Sequence, residues 1–254
     1  MTLRLNSLPD GIVVVTLAKP PMNTMDSVLL EELTATFDRL AADPAVKAAV
    51  LTGEGVAFSA GLDLKTVPHL DLAGQHRLIA ALNDCFGTLY AWPKPLVAAV
   101  NGHVIAGGMV AALATDWRVV ADVKLQASLA EIRVGVTFPV APMEIACNEL
   151  TPPAARHLVL LGEPLDAREA VALKVFDECV PLDEMMARAV ERVRRFAALP
   201  PQAYATTKRE LRAVALARIA AARQGHDPRY TDWLGEEMTR AAAAAIVRPK
   251  ETSS

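Results

Sequence analysis

Short apolar runs alternate with amphipathic segments along the first half of the chain. The runs predict strands, and they lie at residues 3–5, 12–17, 48–52, 96–100 and 117–121, with a weaker one at 125–127. Two longer segments carry apolar residues at helical spacing: one from a cap at Asp26 to the Asp43-Pro44 stop, the other at residues 72–90. This alternation of strands and helices predicts an α/β layered domain.

The second half of the chain is predicted to be mainly helical. Its helical segments lie at about residues 143–150, 153–161, 167–173, 183–198, 203–222 and 228–246. These segments are rich in alanine and arginine and poor in aromatic residues, so they have little core of their own. We expect them to pack on the first half or on a neighbouring subunit.

The segment at residues 94–122 combines features that suit catalysis. A buried strand ends at Asn101-Gly102, a pair typical of a sharp turn, and Gly107-Gly108 then precedes a small apolar helix. The N-terminus of a helix presents unpaired backbone N–H groups, and glycines let a ligand approach them closely. Such a place can hold a developing negative charge.

Composition and charge exclude several classes of function. The chain has 254 residues, of which 52% are hydrophobic and 22% charged, with a formal net charge of −3. This balance gives no electrostatic reason to expect nucleic acid as a partner. No apolar run is long enough to span a membrane, and Met1 to Leu8 lack the pattern of a signal peptide, so a cytoplasmic protein is expected. Three scattered cysteines and five histidines without ligand spacing predict buried free thiols and no metal site.

Two segments, AFSAGLDL at 57–64 and NGHVIAGGMVAALATDWRVVAD at 101–122, resemble the crotonase (enoyl-CoA hydratase/isomerase) superfamily. Three further matches occur in the family's order, at residues 20–23, 162–181 and 206–211. The pattern is most similar to the Δ3,Δ2-enoyl-CoA isomerase branch.

The resemblance implies the architecture and the substrate class. The expected fold is an α/β crotonase-like ββα spiral core at residues 1–198, followed by a helical C-terminal region at 199–254 for oligomerisation and active-site cover. A homotrimer or a dimer of trimers is expected. The substrates would be acyl-CoA thioesters of fatty acid metabolism and β-oxidation, with coenzyme A as part of the substrate and no separate cofactor.

The resemblance also implies site residues. The enolate oxygen would lie between the backbone N–H groups of Ala60 and Gly107, and loss of one such donor costs about 2.7–4 kcal/mol in a hydrolase. Lys208 is expected either to approach the CoA phosphates or adenine, or to be a solvated helix lysine. The full set of predicted substrate and CoA contacts is Pro21, Asn23, Ser59, Ala60, Gly61, Leu62, Asp63, Leu64, Gly107, Gly108 and Lys208.

The acid/base residues distinguish the possible reactions. Hydratases of the family use two glutamates, and the matching positions here are Val110 and Glu131. A valine cannot activate water, whereas a lone Glu131 can move a proton from C2 to C4 of a 3-enoyl thioester. The sequence therefore favours an isomerase. Glu144 and Glu149, on the following predicted helix, are possible substitutes for Glu131. Two alternatives stay open: a hydratase or other crotonase-type lyase that recruits an unrecognised acid, and an acyl-CoA binding protein without catalysis.

Two other enzyme classes are disfavoured by their motifs. Gly53-Glu54-Gly55 follows a predicted strand, but Phe58 occupies the third glycine position of a dinucleotide fingerprint and a loop is predicted to follow. Ser59 lacks the GxSxG elbow of a serine hydrolase.

Overall fold

The protein is built on a six-stranded sheet that is parallel except at one edge. The computed structural model describes residues 2–63, 66–231 and 233. Within them the strand order is β1-β2-β3-β5-β7-β9, with only β1 and β2 antiparallel, and a smaller parallel sheet has the order β4-β6-β8. The strands are β1 (Leu3–Ser7), β2 (Ile12–Leu17), β3 (Ala48–Gly53), β4 (Ala57–Ser59), β5 (Leu96–Val100), β6 (His103–Ile105), β7 (Trp117–Ala121), β8 (Ala127–Ser128) and β9 (Glu178–Val180).

Helices cover the sheet and make up most of the second half. The α-helices are α1 (Ser27–Ala42), α2 (Leu72–Ala91), α3 (Gly107–Leu113), α4 (Val140–Glu149), α5 (Pro152–Ala155), α6 (Ala167–Ala172), α7 (Leu182–Ala197), α8 (Pro201–Leu211) and α9 (Ala213–Arg223). Shorter 3₁₀ turns lie at Val67–His69, Glu131–Val134 and Pro228–Tyr230, and a π-helix at Arg156–Leu161. The α/β fold class expected from the sequence is confirmed.

Burial of both faces of the main sheet explains its unbroken apolar strands. In β2, Val13 and Val15 contribute to one hydrophobic cluster with α1 and α2, whereas Ile12 and Val14 contribute to a second cluster with α7. A strand that is covered on both sides needs apolar residues at successive positions. This is the pattern from which the strands were predicted.

Several sequence predictions about elements were wrong, and the three-residue strand β6 was also not predicted. The segment at 53–64, taken as a loop, contains β4, because a strand of three residues leaves no periodic pattern. β9 was not predicted, because it contains Glu178 and is only half-buried. The helix expected at 203–222 is broken at Arg212, whose buried guanidinium donates to the carbonyls of Tyr90 (2.9 Å) and Thr115 (3.2 Å).

Other expectations fall partly outside the structure. The helix predicted at 228–246 lies mostly beyond the described residues, and its described beginning is a 3₁₀ turn. The prediction of buried thiols holds for Cys85 but not for Cys147, which is exposed. Among the helices of the described residues, none combines the length and the hydrophobicity of a transmembrane span.

Candidate active site

The Phe58-Ser59-Ala60-Gly61 turn lies directly against the first turn of α3. A Cβ atom on Gly108 would stand 2.2 Å from the carbonyl oxygen of Ser59, so only glycine permits this approach. Gly61 has φ +72°, and a Cβ atom there would stand 2.9 Å from the backbone nitrogen of Gly107. The two glycines thus bring the turn and the helix N-terminus together, as the sequence predicted.

Ala60 is the wrong residue of this turn for an oxyanion donor. Its N–H already donates to the carbonyl of Met22 at 2.9 Å, and the N–H of Gly61 donates to Ser59 Oγ at 3.1 Å. Leu62 lines the adjacent cavity, and its N–H has no acceptor within the described residues. Gly107, the first residue of α3, likewise has no intrahelical partner for its N–H. The pair of available donors is therefore Leu62 and Gly107.

Ala106 precedes the helix in a strained conformation. Its φ of 51° and ψ of −121° lie in a backbone region that residues other than glycine rarely adopt. The N–H of Ala106 donates to the carbonyl of Ser128 at 2.8 Å, which extends the pairing of β6 with β8 to the start of α3. The small sheet therefore fixes the backbone that aims the N–H of Gly107.

A small apolar cavity opens beside these two N–H groups. Its volume is about 100 Å³. It is lined by Ala60, Leu62, Val67, Leu82, Phe86, Ile105, Ala106, Gly107, Val110, Ala130, Glu131, Val134, Val136, Thr137, Phe138, Pro139, Pro142 and Trp233. Among these described residues, Glu131 alone carries a titratable side chain. The cavity thus combines two backbone donors, an apolar wall and one carboxyl group.

Glu131 has the environment of a perturbed acid. It begins the 3₁₀ turn Glu131–Val134, and its Oε2 atom is buried with no hydrogen-bond partner among the described residues. Burial disfavours the charged form and raises the pKa of Glu131 to about 8, while a backbone hydrogen bond opposes this rise. A carboxyl group with such a pKa can both accept and return a proton near neutral pH.

The second acid of a hydratase has no counterpart among the described residues of this cavity. Val110, on α3, lines it as predicted. The two glutamates considered as substitutes for Glu131 lie elsewhere: Glu144 pairs with Arg218 at 3.1 Å, and Glu149 pairs with Arg118 and accepts a hydrogen bond from Tyr90. Neither substitute lines the cavity.

Asn23 and Ser59, predicted as CoA contacts, brace the turn instead. The buried amide of Asn23 donates to the carbonyls of Ala57 (2.8 Å) and Phe58 (3.2 Å), and Ser59 Oγ donates to the carbonyl of Asn23 (2.7 Å). Asn23 also has a positive φ of 51°. These bonds tie the proline-asparagine loop to the turn, so both side chains have partners within the protein.

The other predicted CoA contacts are distributed differently. Leu62 and Gly107 line the cavity, whereas Gly108 packs beneath Ser59. Pro21 lies in the loop that Asn23 anchors, and Asp63 directly follows Leu62. Leu64 lies outside the described residues.

Lys208 does not lie at this cavity. Its side chain is only 8% exposed, and its Nζ pairs with Asp116 at 2.8 Å and donates to the carbonyl of Lys94 at 3.2 Å. Burial lowers the pKa of Lys208 to about 8, although Asp116 opposes this shift. Asp116 also accepts from the N–H of Leu96 (2.8 Å), so the pair joins α8 to the start of β5. Neither sequence expectation for Lys208, a CoA contact or a solvated lysine, is supported.

Comparison with known proteins identifies the family. Residues 7–239 match the family model described as enoyl-CoA hydratase/isomerase. The chain belongs to this family. It is an enzyme family that acts on CoA thioesters, and the fold described above matches that of its solved members.

Relatives within the family include proteins named as hydratases and proteins named as isomerases. A Thermus thermophilus protein whose name proposes an enoyl-CoA hydratase is 35% identical over 207 residues, covering 80% of this chain and 81% of its own. The mitochondrial enoyl-CoA delta isomerase 1 of Mus musculus is 28% identical over 232 residues, covering 90% and 80%. The crystal structure of human mitochondrial Δ3-Δ2-enoyl-CoA isomerase has the same fold, with a TM-score of 0.91, 24% identity and 97% of each chain covered.

Proposed function

We propose that this family member is an enoyl-CoA isomerase, which converts a 3-enoyl-CoA to the 2-trans-enoyl-CoA. The observation that supports this reaction is the presence of one titratable side chain, Glu131, among the described residues of the cavity, with Val110 at the other acid position. Addition of water requires a group that orients and deprotonates the water molecule. A shift of a double bond requires only one group that carries a proton between two carbons.

In the proposed reaction the carboxylate of Glu131 removes a proton from C2 of the substrate. The electron pair moves into the thioester, and the resulting dienolate oxygen accepts hydrogen bonds from the N–H groups of Leu62 and Gly107. The glutamic acid then returns the same proton to C4, and the double bond moves from C3–C4 to C2–C3. Atoms and charge balance without a cofactor, because coenzyme A is part of the substrate.

The environment of the two groups suits their proposed roles. Each backbone donor is expected to contribute about 2.7–4 kcal/mol to stabilisation of the enolate. The apolar wall raises the pKa of Glu131, which makes its carboxylate a stronger base. The same rise leaves only about a tenth of the free enzyme ionised, and so reactive, at pH 7. General base catalysis of this kind contributes about 10²–10⁴-fold.

Two candidate substrates distinguish this proposal from its alternatives. The purified protein is incubated with 3-hexenoyl-CoA and, separately, with 2-hexenoyl-CoA, and the absorbance of the conjugated thioester is followed. Conjugation that forms from the 3-enoyl ester, without loss of conjugation from the 2-enoyl ester, supports the isomerase. Loss from the 2-enoyl ester would instead establish hydration, the activity in the name of the Thermus thermophilus relative. If both esters bind and neither changes, the remaining alternative is an acyl-CoA binding protein without catalysis.

The position of coenzyme A and the assembly are part of the same proposal. We propose that the CoA portion runs along the loop at 20–23 and the backbone at 61–63, with Pro21, Gly61 and Asp63 beside it. We also propose a homotrimer or a dimer of trimers, with the region at 199–254 contributing to the contacts. Light scattering on the purified protein tests the assembly, and a monomer would contradict it.

A further inference from the structure

Trp233 belongs to the hydrophobic core and forms part of the cavity wall. Its side chain is 4% exposed, and its indole N–H donates to the carbonyl of Thr137 at 2.7 Å. Both residues line the cavity, so the tryptophan is fixed to the wall at 136–139. Trp233 is also the largest side chain among the described lining residues.

A buried carboxylate anchors the wall and the segment that carries Trp233. Asp227 Oδ2 accepts from the N–H of Val140 (2.9 Å) and from the amide of Asn83 (2.8 Å), and Asn83 Oδ1 accepts from the N–H of Ala141 (2.9 Å). Asn83 is fully buried and Asp227 is 3% exposed. We call these two residues the Asn83–Asp227 clasp. Because it joins α2, the start of α4 and the turn before Trp233, it holds the tryptophan in register with the wall.

The volume of the cavity limits what it can hold. The cavity measures about 100 Å³. An apolar cavity of about 150 Å³ in another protein binds benzene, a ring of about six carbons, so a space of about 100 Å³ holds about four carbon-sized groups. With the thioester oxygen at Leu62 and Gly107, the carbons on which Glu131 acts already occupy most of it.

We propose that Trp233 is the chain-length stop of this enzyme, which restricts its substrates to short acyl groups of about four to six carbons. The inference rests on the proposed function for the position of the thioester. Phe86 also lines the cavity, but it packs beneath Gly107, where a Cβ atom would stand 3.5 Å from its ring. Of these two aromatic residues, Trp233 is therefore the one whose replacement should leave the packing beneath Gly107 undisturbed.

The test measures binding, not turnover. Saturated acyl-CoA esters with chains of four, six, eight and ten carbons are titrated calorimetrically into the full-length protein and into Trp233→Ala. Burial of one methylene group improves affinity about fourfold while room remains. The wild type should therefore gain affinity up to about six carbons and bind the ten-carbon ester at least about tenfold more weakly than the six-carbon ester. Trp233→Ala should bind the ten-carbon ester about tenfold or more tightly than the wild type does.

Two further variants separate a lost wall from a loosened segment. Tyr230→Ala removes a ring from the same segment, but Tyr230 contacts His76 and does not line the cavity, so the chain-length profile should stay that of the wild type. Trp233→Leu fills part of the space and should give an intermediate profile, which also serves if Trp233→Ala does not fold.

The outcomes distinguish failure of this inference from failure of the proposed function. Wild-type affinity that rises steadily to ten carbons, or an unchanged profile in folded Trp233→Ala and Trp233→Leu, would overturn the chain-length stop alone. Failure to bind any of the esters would overturn the substrate class, and the inference with it. If binding shows an optimum chain length but the protein does not transfer the double bond of 3-hexenoyl-CoA, the role of Trp233 as a chain-length stop is retained and the isomerase activity is rejected.

Discussion

Replacement of Glu131 by glutamine should abolish turnover. It should also make the protein more stable than the wild type, by an amount that grows as the pH rises. The carboxyl group has a pKa of about 8 in the folded protein and an ordinary value of 4.5. Between these values the folded state holds a proton that the unfolded state has released, so the wild type loses stability as the pH rises from about 4.5 to 8. Glutamine cannot ionise and is free of this loss.

The size of the effect follows from the same difference. Each pKa unit corresponds to about 1.4 kcal/mol, so the wild type loses up to about 3 kcal/mol between pH 4.5 and pH 7. The residue retains some contact with solvent, which lowers this figure, and a gain of about 1–3 kcal/mol for Glu131→Gln at pH 7 is expected. At pH 4.5 the two proteins should differ little.

Urea unfolding of both proteins at pH 4.5, 6 and 8 measures this difference, because all other titrating groups cancel in the comparison. The exposed Glu210→Gln serves as the matched control and should follow the wild type at each pH. In parallel, double-bond transfer should fall by at least about 100-fold in Glu131→Gln, with the affinity for a saturated acyl-CoA within about threefold. Equal pH dependence of stability in the variant and the wild type would refute the buried, proton-holding carboxyl group, and retained turnover would refute its role as the base.

Three other predictions follow from the geometry. The kcat/KM of the wild type should rise about tenfold per pH unit towards a pKa near 8 and then level off, because the carboxylate of Glu131 is the reactive form; a flat profile from pH 6 to 9 would contradict this. Ala106→Gly should raise the free energy of unfolding by up to about 1–2 kcal/mol, because relief of a positive φ outweighs the flexibility of glycine; a lower Tm would argue against strain at this position. Lys208→Met removes one of the two buried cations that pair with Asp116 and leaves Arg212 at 3.1 Å, so it should destabilise the protein by about 1.5–3 kcal/mol, while CoA-ester affinity of the folded protein stays within about threefold; a selective loss of affinity would restore Lys208 to the binding site.

The sequence predicted the main strands and brought the right segments together, because both signals are local. A strand such as β5 is apolar along its whole length. The close approach of the Ser59 carbonyl leaves no room for a side chain at position 108, so glycine is required there. The identity of the donor in the 58–62 turn was predicted wrongly. Whether Ala60 or Leu62 presents its N–H depends on the backbone rotation at Gly61, which no residue pattern encodes.

Contacts between distant segments account for the other failures. Lys208 stands in a helix whose pattern permits an exposed position, and only the packing of α8 against the start of β5 buries it. Trp233 lies 96 positions from its partner Thr137, and no motif marked Trp233 as part of the site. The region at 199–254, which contains Trp233, was expected to cover the active site, but the sequence could not show which wall the tryptophan contacts.

The two tasks of the proposed reaction are assigned to different kinds of atoms. Charge is stabilised by main-chain groups at Leu62 and Gly107, whose positions depend on how the turn packs against α3. The proton is carried by the side chain of Glu131, and Val110 occupies the position where a second acid could stand. A substitution at either side-chain position can therefore alter the reaction while the anion-holding backbone is inherited intact. Such a scaffold can diversify its chemistry in single mutational steps, and the same architecture can serve hydration in one descendant and isomerisation in another.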